Sequence, residues 1–235
     1  MSKERRILRL DLGAIEQSLA GVQRDWQRIE SELSKRSIGK KDAPFNSQLK
    51  ASMIAAYGHL DTLLRDGVRP FSQDGIREIC RLNEFVHYGD DKALMREYRH
   101  AIAVNEEKYY RNIRPIVKWH DSHMKGEPHP LKVASEVYVA ILGYPQLFIE
   151  GNHRTGSIIA SWIDMYYGHP PFVLSCENAI SYFEPSAEIK SFADKSTWIG
   201  KARLPKYNKI FKRFWESHID WQYVLNKGDM EQDKE

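Results

Sequence analysis

Ten consecutive residues carry groups that could do chemistry together: Phe148-Ile149-Glu150-Gly151-Asn152-His153-Arg154-Thr155-Gly156-Ser157. An apolar run, Val137 to Leu142, leads into them. Ile158, Ile159, Trp162, Ile163 and Tyr166 come after them at helical spacing. Within the stretch lie a carboxylate (Glu150), a glycine (Gly151), an amide (Asn152) and a cation (Arg154). That combination suits an anion bound where a helix begins. Gly151 lets backbone N–H groups come close to a ligand, and the N–H groups of a first helical turn lack partners and carry partial positive charge. Arg154 can fork onto phosphate oxygens, and Glu150 can hold a magnesium ion that bridges them.

The stretch resembles the core motif of the Fic family, His-Pro-Phe-x-(Asp/Glu)-Gly-Asn-Gly-Arg-x-Gly-Arg. Phe148, Glu150, Gly151, Asn152, Arg154, Thr155 and Gly156 carry the match. His129-Pro130-Leu131 with Ala134 is similar to the family's lead-in, and Gly168-His169-Pro170-Pro171 to its follow-on. Roughly residues 70 to 195 can be laid on the domain, with specificity concentrated in the central turn. The resemblance implies an all-α fold. It also implies transfer of AMP from ATP to a hydroxyl of a target protein, or of phosphate in the related Doc type. On the matching positions Glu150 would hold Mg2+, and Gly151, Asn152, Arg154 and Gly156 would contact the nucleotide phosphates. Phe148 would anchor the loop.

Three positions depart from that pattern. Gln146 stands four residues before Glu150, where the family has its histidine base, and a glutamine cannot take a proton at neutral pH. Alternatively Tyr144-Pro145 stands for the His-Pro pair, which makes the base a tyrosine, protonated at pH 7. Ser157 replaces the last arginine and removes a phosphate contact. His153 occupies a position usually Gly or Lys, as a substitute base, a phosphate contact, or a side chain pointing outward. The expectation is a Fic-like protein with Gln146 and His153 at the catalytic positions and weakened or altered transfer. Loss of general-base help alone costs ~10² to 10⁴ in rate.

Composition frames this reading. The chain has 235 residues, 42% hydrophobic and 29% charged, suiting a single globular domain with extensions. Two cysteines, Cys80 and Cys176, lie far apart without metal spacing, which suits a reducing cytoplasm. No apolar stretch comes after the basic start, so a cytoplasmic protein with no membrane association is expected, a secreted effector remaining open. A net charge of +3 is too small by itself to imply nucleic acid as a partner, and none is expected. The cations cluster, however, from Lys190 to Arg213, interleaved with Trp198, Tyr207, Phe211, Phe214 and Trp215. Such a stretch is a docking face for an acidic partner or nucleic acid, or a helix whose aromatics pack down while its lysines are solvated.

The elements that must position the motif read as helices. A heptad-like stripe (Ile15, Leu19, Val22, Trp26, Ile29, Leu33) predicts one helix over 12–35 capped by Asp11, packed on the domain or paired in a dimer. Ser37 to Asn46 reads as a loop. Further helices are expected over 47–65, closed by Gly67, over 72–88, and from a cap at Asp90 or Asp91 to about Tyr110, with Pro115 breaking the chain beyond that helix. Asp121 to Pro130 reads as a loop, 176–183 and 186–192 as short helices, and 228–235 as a frayed tail. This divides the chain into an N-terminal helical extension (1–69), a Fic-like core (70–195) and a basic C-terminal segment (196–235).

Other candidate sites are weaker. The family's inhibitory pattern has its nearest match in Thr62 to Gly67, with Asp66 for glutamate and Ser157 for the arginine partner. His120, His123, His129 and Asp121 suggest a metal cluster, yet solvated loop histidines explain them better. The flap that aligns a target in Fic enzymes has no counterpart, since 98–119 reads as helical. A module without chemistry, working through the basic C-terminal face, is the rival reading.

Overall fold

The computed structural model describes residues 7–36, 44–126 and 128–225. The described chain is all-α, with isolated β-bridges and no strand. The expected loop over 37–46 falls largely outside the described residues, and the tail over 228–235 does so entirely.

The helices are α1 (Leu12–Arg24), α2 (Trp26–Lys35), α3 (Ser47–Arg65), α4 (Gln73–Tyr88) and α5 (Lys92–Glu97), then α6 (Arg99–Met124), α7 (Pro130–Leu142), α8 (Asn152–Tyr166), α9 (Ala179–Phe192) and α10 (Trp198–His218). Polar side chains start several of them. Asp11 accepts from the Ala14 N–H, Asn46 from Leu49, Ser72 from Gly75 and Thr197 from Gly200. Pro130 occupies the first turn of α7, where its missing N–H costs nothing.

Several expectations need correction. The heptad stripe breaks at Asp25, which turns Trp26 against Phe45 and Phe183 and lays α2 on α9. The helix capped by Asp91 ends at Glu97, because 92–97 buries no side chain that would keep it in line with the next. Pro115 does not stop α6: it lies on the solvent side, while Ile113, Ile116 and His120 bury on the other face. The expected loop from Asp121 is therefore helical through Met124. Pro185 is likewise carried inside a continuous α9, because Tyr182, Phe183, Ser186 and Ile189 bury around it.

Packing centres on α8. From Thr155 to Met165 every side chain is buried, with α7, α3 and α4 packed around the helix. One hydrophobic cluster runs from Leu8 through α1, α3, α7 and α8 to α10 and Val224. The chain ends are tied together: the Asp11 N–H donates to the Tyr223 carbonyl and Leu225 to that of Arg9, whose guanidinium grips Asp61. The aromatics of the basic segment face inward as α10 lies on α7. Phe211 and Trp215 meet Tyr138, and Trp215 and Phe214 meet Phe172. Trp198 is the exception, 78% exposed.

Candidate active site

The chemically suggestive stretch forms a turn between α7 and α8. Gly151 is the N-cap of α8 in the left-handed region (φ 74°), and no side chain caps the helix. An added Cβ here would fall 2.6 Å from His87 Nε2 and 2.9 Å from Asn83 Nδ2, so space and backbone both require glycine. Thr155 makes the first intrahelical bond, to the Gly151 carbonyl, which leaves the preceding N–H groups for other partners.

Asn152 is buried and turned back on the loop. Its Oδ1 accepts from the Phe148 N–H (2.8 Å), and its Nδ2 donates to the Phe148 carbonyl (3.0 Å) and towards Gln146 Oε1 (3.4 Å). Its side chain therefore fixes the turn. Arg154 donates to the Val86 carbonyl at the end of α4 (2.8 Å), and burial lowers its guanidinium from its ordinary value despite nearby Glu150. Glu150 is exposed on the outer edge of the turn. Gly156 lies against the Tyr138 ring, where an added Cβ would be 3.1 Å from Cδ2, so it serves the close approach of α8 to α7.

His153 is half-buried between Tyr138 and Tyr182. Its Nδ1 lies 3.5 Å from the Tyr138 hydroxyl, and its carbonyl accepts from the Tyr182 hydroxyl. Gln146 is half-buried and donates to the Leu142 carbonyl. Tyr144, the alternative base position, is 58% exposed and joined through its backbone to Ala193 and Lys195, at the connection between α9 and α10. Ser157 donates to the Arg154 carbonyl. Gln146 and Asn152 thus meet, and Glu150 and Arg154 share one side of the turn, whereas His153 packs towards α7 and α9.

A set of residues that the motif does not include holds this turn. On α6, Asn112 donates to the Gln146 carbonyl, Lys108 to that of Phe148, and Asn105 Oδ1 accepts from the Ile149 N–H. From α4, Asn83 donates to the Glu150 carbonyl and to Thr155 Oγ1, and takes a bond from Asn105. His87 completes the set beside the Glu150 backbone. Burial first, and Arg154 second, lower its imidazole below the ordinary histidine range. The spacing 105, 108, 112 puts three polar side chains on one helical face, and this is the signal available in the sequence.

His120 and His123 are not loop residues as expected but lie on α6, where His120 is buried. His120 packs on Phe71 and His123 on Trp119, and no group of three or more potential ligands gathers among the described residues. Likewise, no described helix is long and apolar enough to cross a membrane.

No known family profile matches the chain, and no curated protein matches it. Among solved structures, it is similar to a Fic-domain-containing signalling protein from Bacteroides thetaiotaomicron, at 14% identity over 87% of each chain, with a TM-score of 0.45.

Proposed function

We propose that this chain is a Fic-like protein that binds a magnesium–nucleotide complex, with ATP as the reference ligand, at the start of α8, and that its transfer chemistry is weakened. The observation that carries this reading is the left-handed Gly151 turn, which opens α8 without a side-chain cap beside the exposed carboxylate of Glu150. Such a turn presents backbone N–H groups and the positive end of the helix to an anion. A single carboxylate suits magnesium, which keeps its waters and takes its other ligands from substrate phosphates. When bound, the ion would neutralise charge on the phosphates.

The side chains do less than the motif implies. Asn152 and Arg154 are engaged with backbone carbonyls, so the backbone of 151–154 is the principal anion contact. Gln146 can orient a hydroxyl by hydrogen bonding but cannot deprotonate it, and His153 is turned among tyrosines. Residual transfer would rest on positioning.

Calorimetry with Mg·ATP tests this on the wild type and on Glu150→Gln, an exposed position whose replacement leaves the turn intact. Magnesium-dependent binding that weakens at least about tenfold in the variant is expected. No binding up to about millimolar ATP would overturn the reading. The rival is a non-catalytic module working through α10, favoured by its exposed Trp198 and Ile199 beside Lys201. Partner capture that falls steeply with salt and is lost in Trp198→Ala would support it.

A further inference from the structure

A cavity of about 530 Å³ lies between α4, the start of α6 and the outer edge of the turn at Ile149 and Glu150. We propose that it binds a small organic cation, an ammonium group on a short apolar or aromatic stem. Tyr88 and Tyr98 stand in its wall with rings stacked at 5.5 Å and 26° apart, and aromatic faces attract cations. Glu84 from α4 and Glu150 from the turn add carboxylates, and both act on the Tyr88 phenol. Glu106 on α6 reinforces Glu84: burial and then this neighbour raise the Glu84 carboxyl from its ordinary value, a repulsion that a bound cation would relieve.

None of the lining residues is a lysine or arginine. The nearby cations are anchored outside the cavity, Arg81 over the Phe85 ring, Arg154 onto the Val86 carbonyl and Lys108 onto the Phe148 carbonyl. Arg81 still acts on Glu84, and Arg154 on Glu150. His87 in the wall favours its neutral form. Asn83 and Asn105 are engaged with the turn. The rest of the wall is apolar, Ala101, Ile102, Val104 and Ile149 with the buried Cys80, and it suits a hydrocarbon stem. A phosphate here would meet carboxylates and ring faces, so this ligand is distinct from the anion at the start of α8. The two sites share Glu150, and Glu84, Tyr88 and Tyr98 belong to the cation site alone.

The test compares benzylamine with benzyl alcohol, its neutral counterpart, by calorimetry on the full chain near neutral pH. Saturable benzylamine binding at least about tenfold tighter than that of the alcohol is expected. Glu84→Gln should remove most of that preference, and Tyr98→Ala should weaken the amine about threefold. Tyr98 is exposed, so its variant keeps the test informative if Glu84→Gln does not fold. Equal affinity for amine and alcohol, no saturation below about 10 mM amine, or unchanged binding in folded Tyr98→Ala would overturn the proposal. Mg·ATP titrated into the same samples reports separately on α8, so either reading can fail alone.

Discussion

Asp164 sits on α8, fully buried. Its Oδ2 accepts from Trp215 Nε1 at 2.7 Å, and its Oδ1 is buried without a hydrogen-bond partner. Burial pushes the carboxyl well above the usual carboxylate range, and the Trp215 bond only partly offsets this. In the unfolded chain the group ionises near pH ~4. The folded protein therefore holds one more proton than the unfolded one, from that pH up to the raised folded value. Stability contributed by this proton is fully present below pH ~4 and is lost as pH rises, at about 1.4 kcal/mol per pH unit. Asp164→Asn keeps the shape and the Trp215 acceptor but removes the titration. The variant should gain on the wild type as pH rises from ~4 towards ~6, at up to about 1.4 kcal/mol per pH unit, with other ionisable groups cancelling. Urea unfolding of both proteins across this range measures the difference. A stability gap that does not change with pH would refute the reasoning, since it would mean that Asp164 is ionised in the fold.

Two more substitutions test the turn. Gly151→Ala forces an L side chain into the left-handed region and its Cβ onto the His87 ring, for a loss of about 2–4 kcal/mol. His87→Ala in the same chain should return about half of it, and a double-mutant cycle by urea unfolding that shows strict additivity would contradict the contact. Asn83→Ala leaves the Thr155 hydroxyl and the Asn105 amide without their partner, and should cost about 1–3 kcal/mol. Amide exchange should then accelerate at Ile149, which is bonded to Asn105; unaltered protection there would mean that the network does not act as a unit.

Much of the scaffold was legible because local rules and burial agree. Helix α3 starts after Asn46 and ends before Gly67 as its capping residues demand. Helix breaks were read less well. A proline marks a break only where burial cannot carry the helix across it, and at Pro115 and Pro185 it can. Conversely Asp25 and Tyr98 interrupt helices with no glycine or proline, the first where Trp26 turns onto Phe183 and the second where 92–97 buries no side chain. The motif located the turn, but residue type alone did not say which way Asn152 and Arg154 would face. Those directions depend on carbonyls at Phe148 and Val86, which only the fold brings near.

The polar ladder from α6 and α4 means that the shape of the turn is stored outside the turn. Asn105, Lys108 and Asn112 belong to a helix whose own buried anchors are few: Tyr109, Ile113, Ile116 and His120. A small rotation of α6 about its axis would move three attachment points together, so the loop is carried as cargo on that helix. Substitutions that shift α6 on its exposed side, at Arg111 or Pro115, should therefore register at residues 146–151 before they register in the core. A mutational map confined to the motif would miss these outside levers on its geometry.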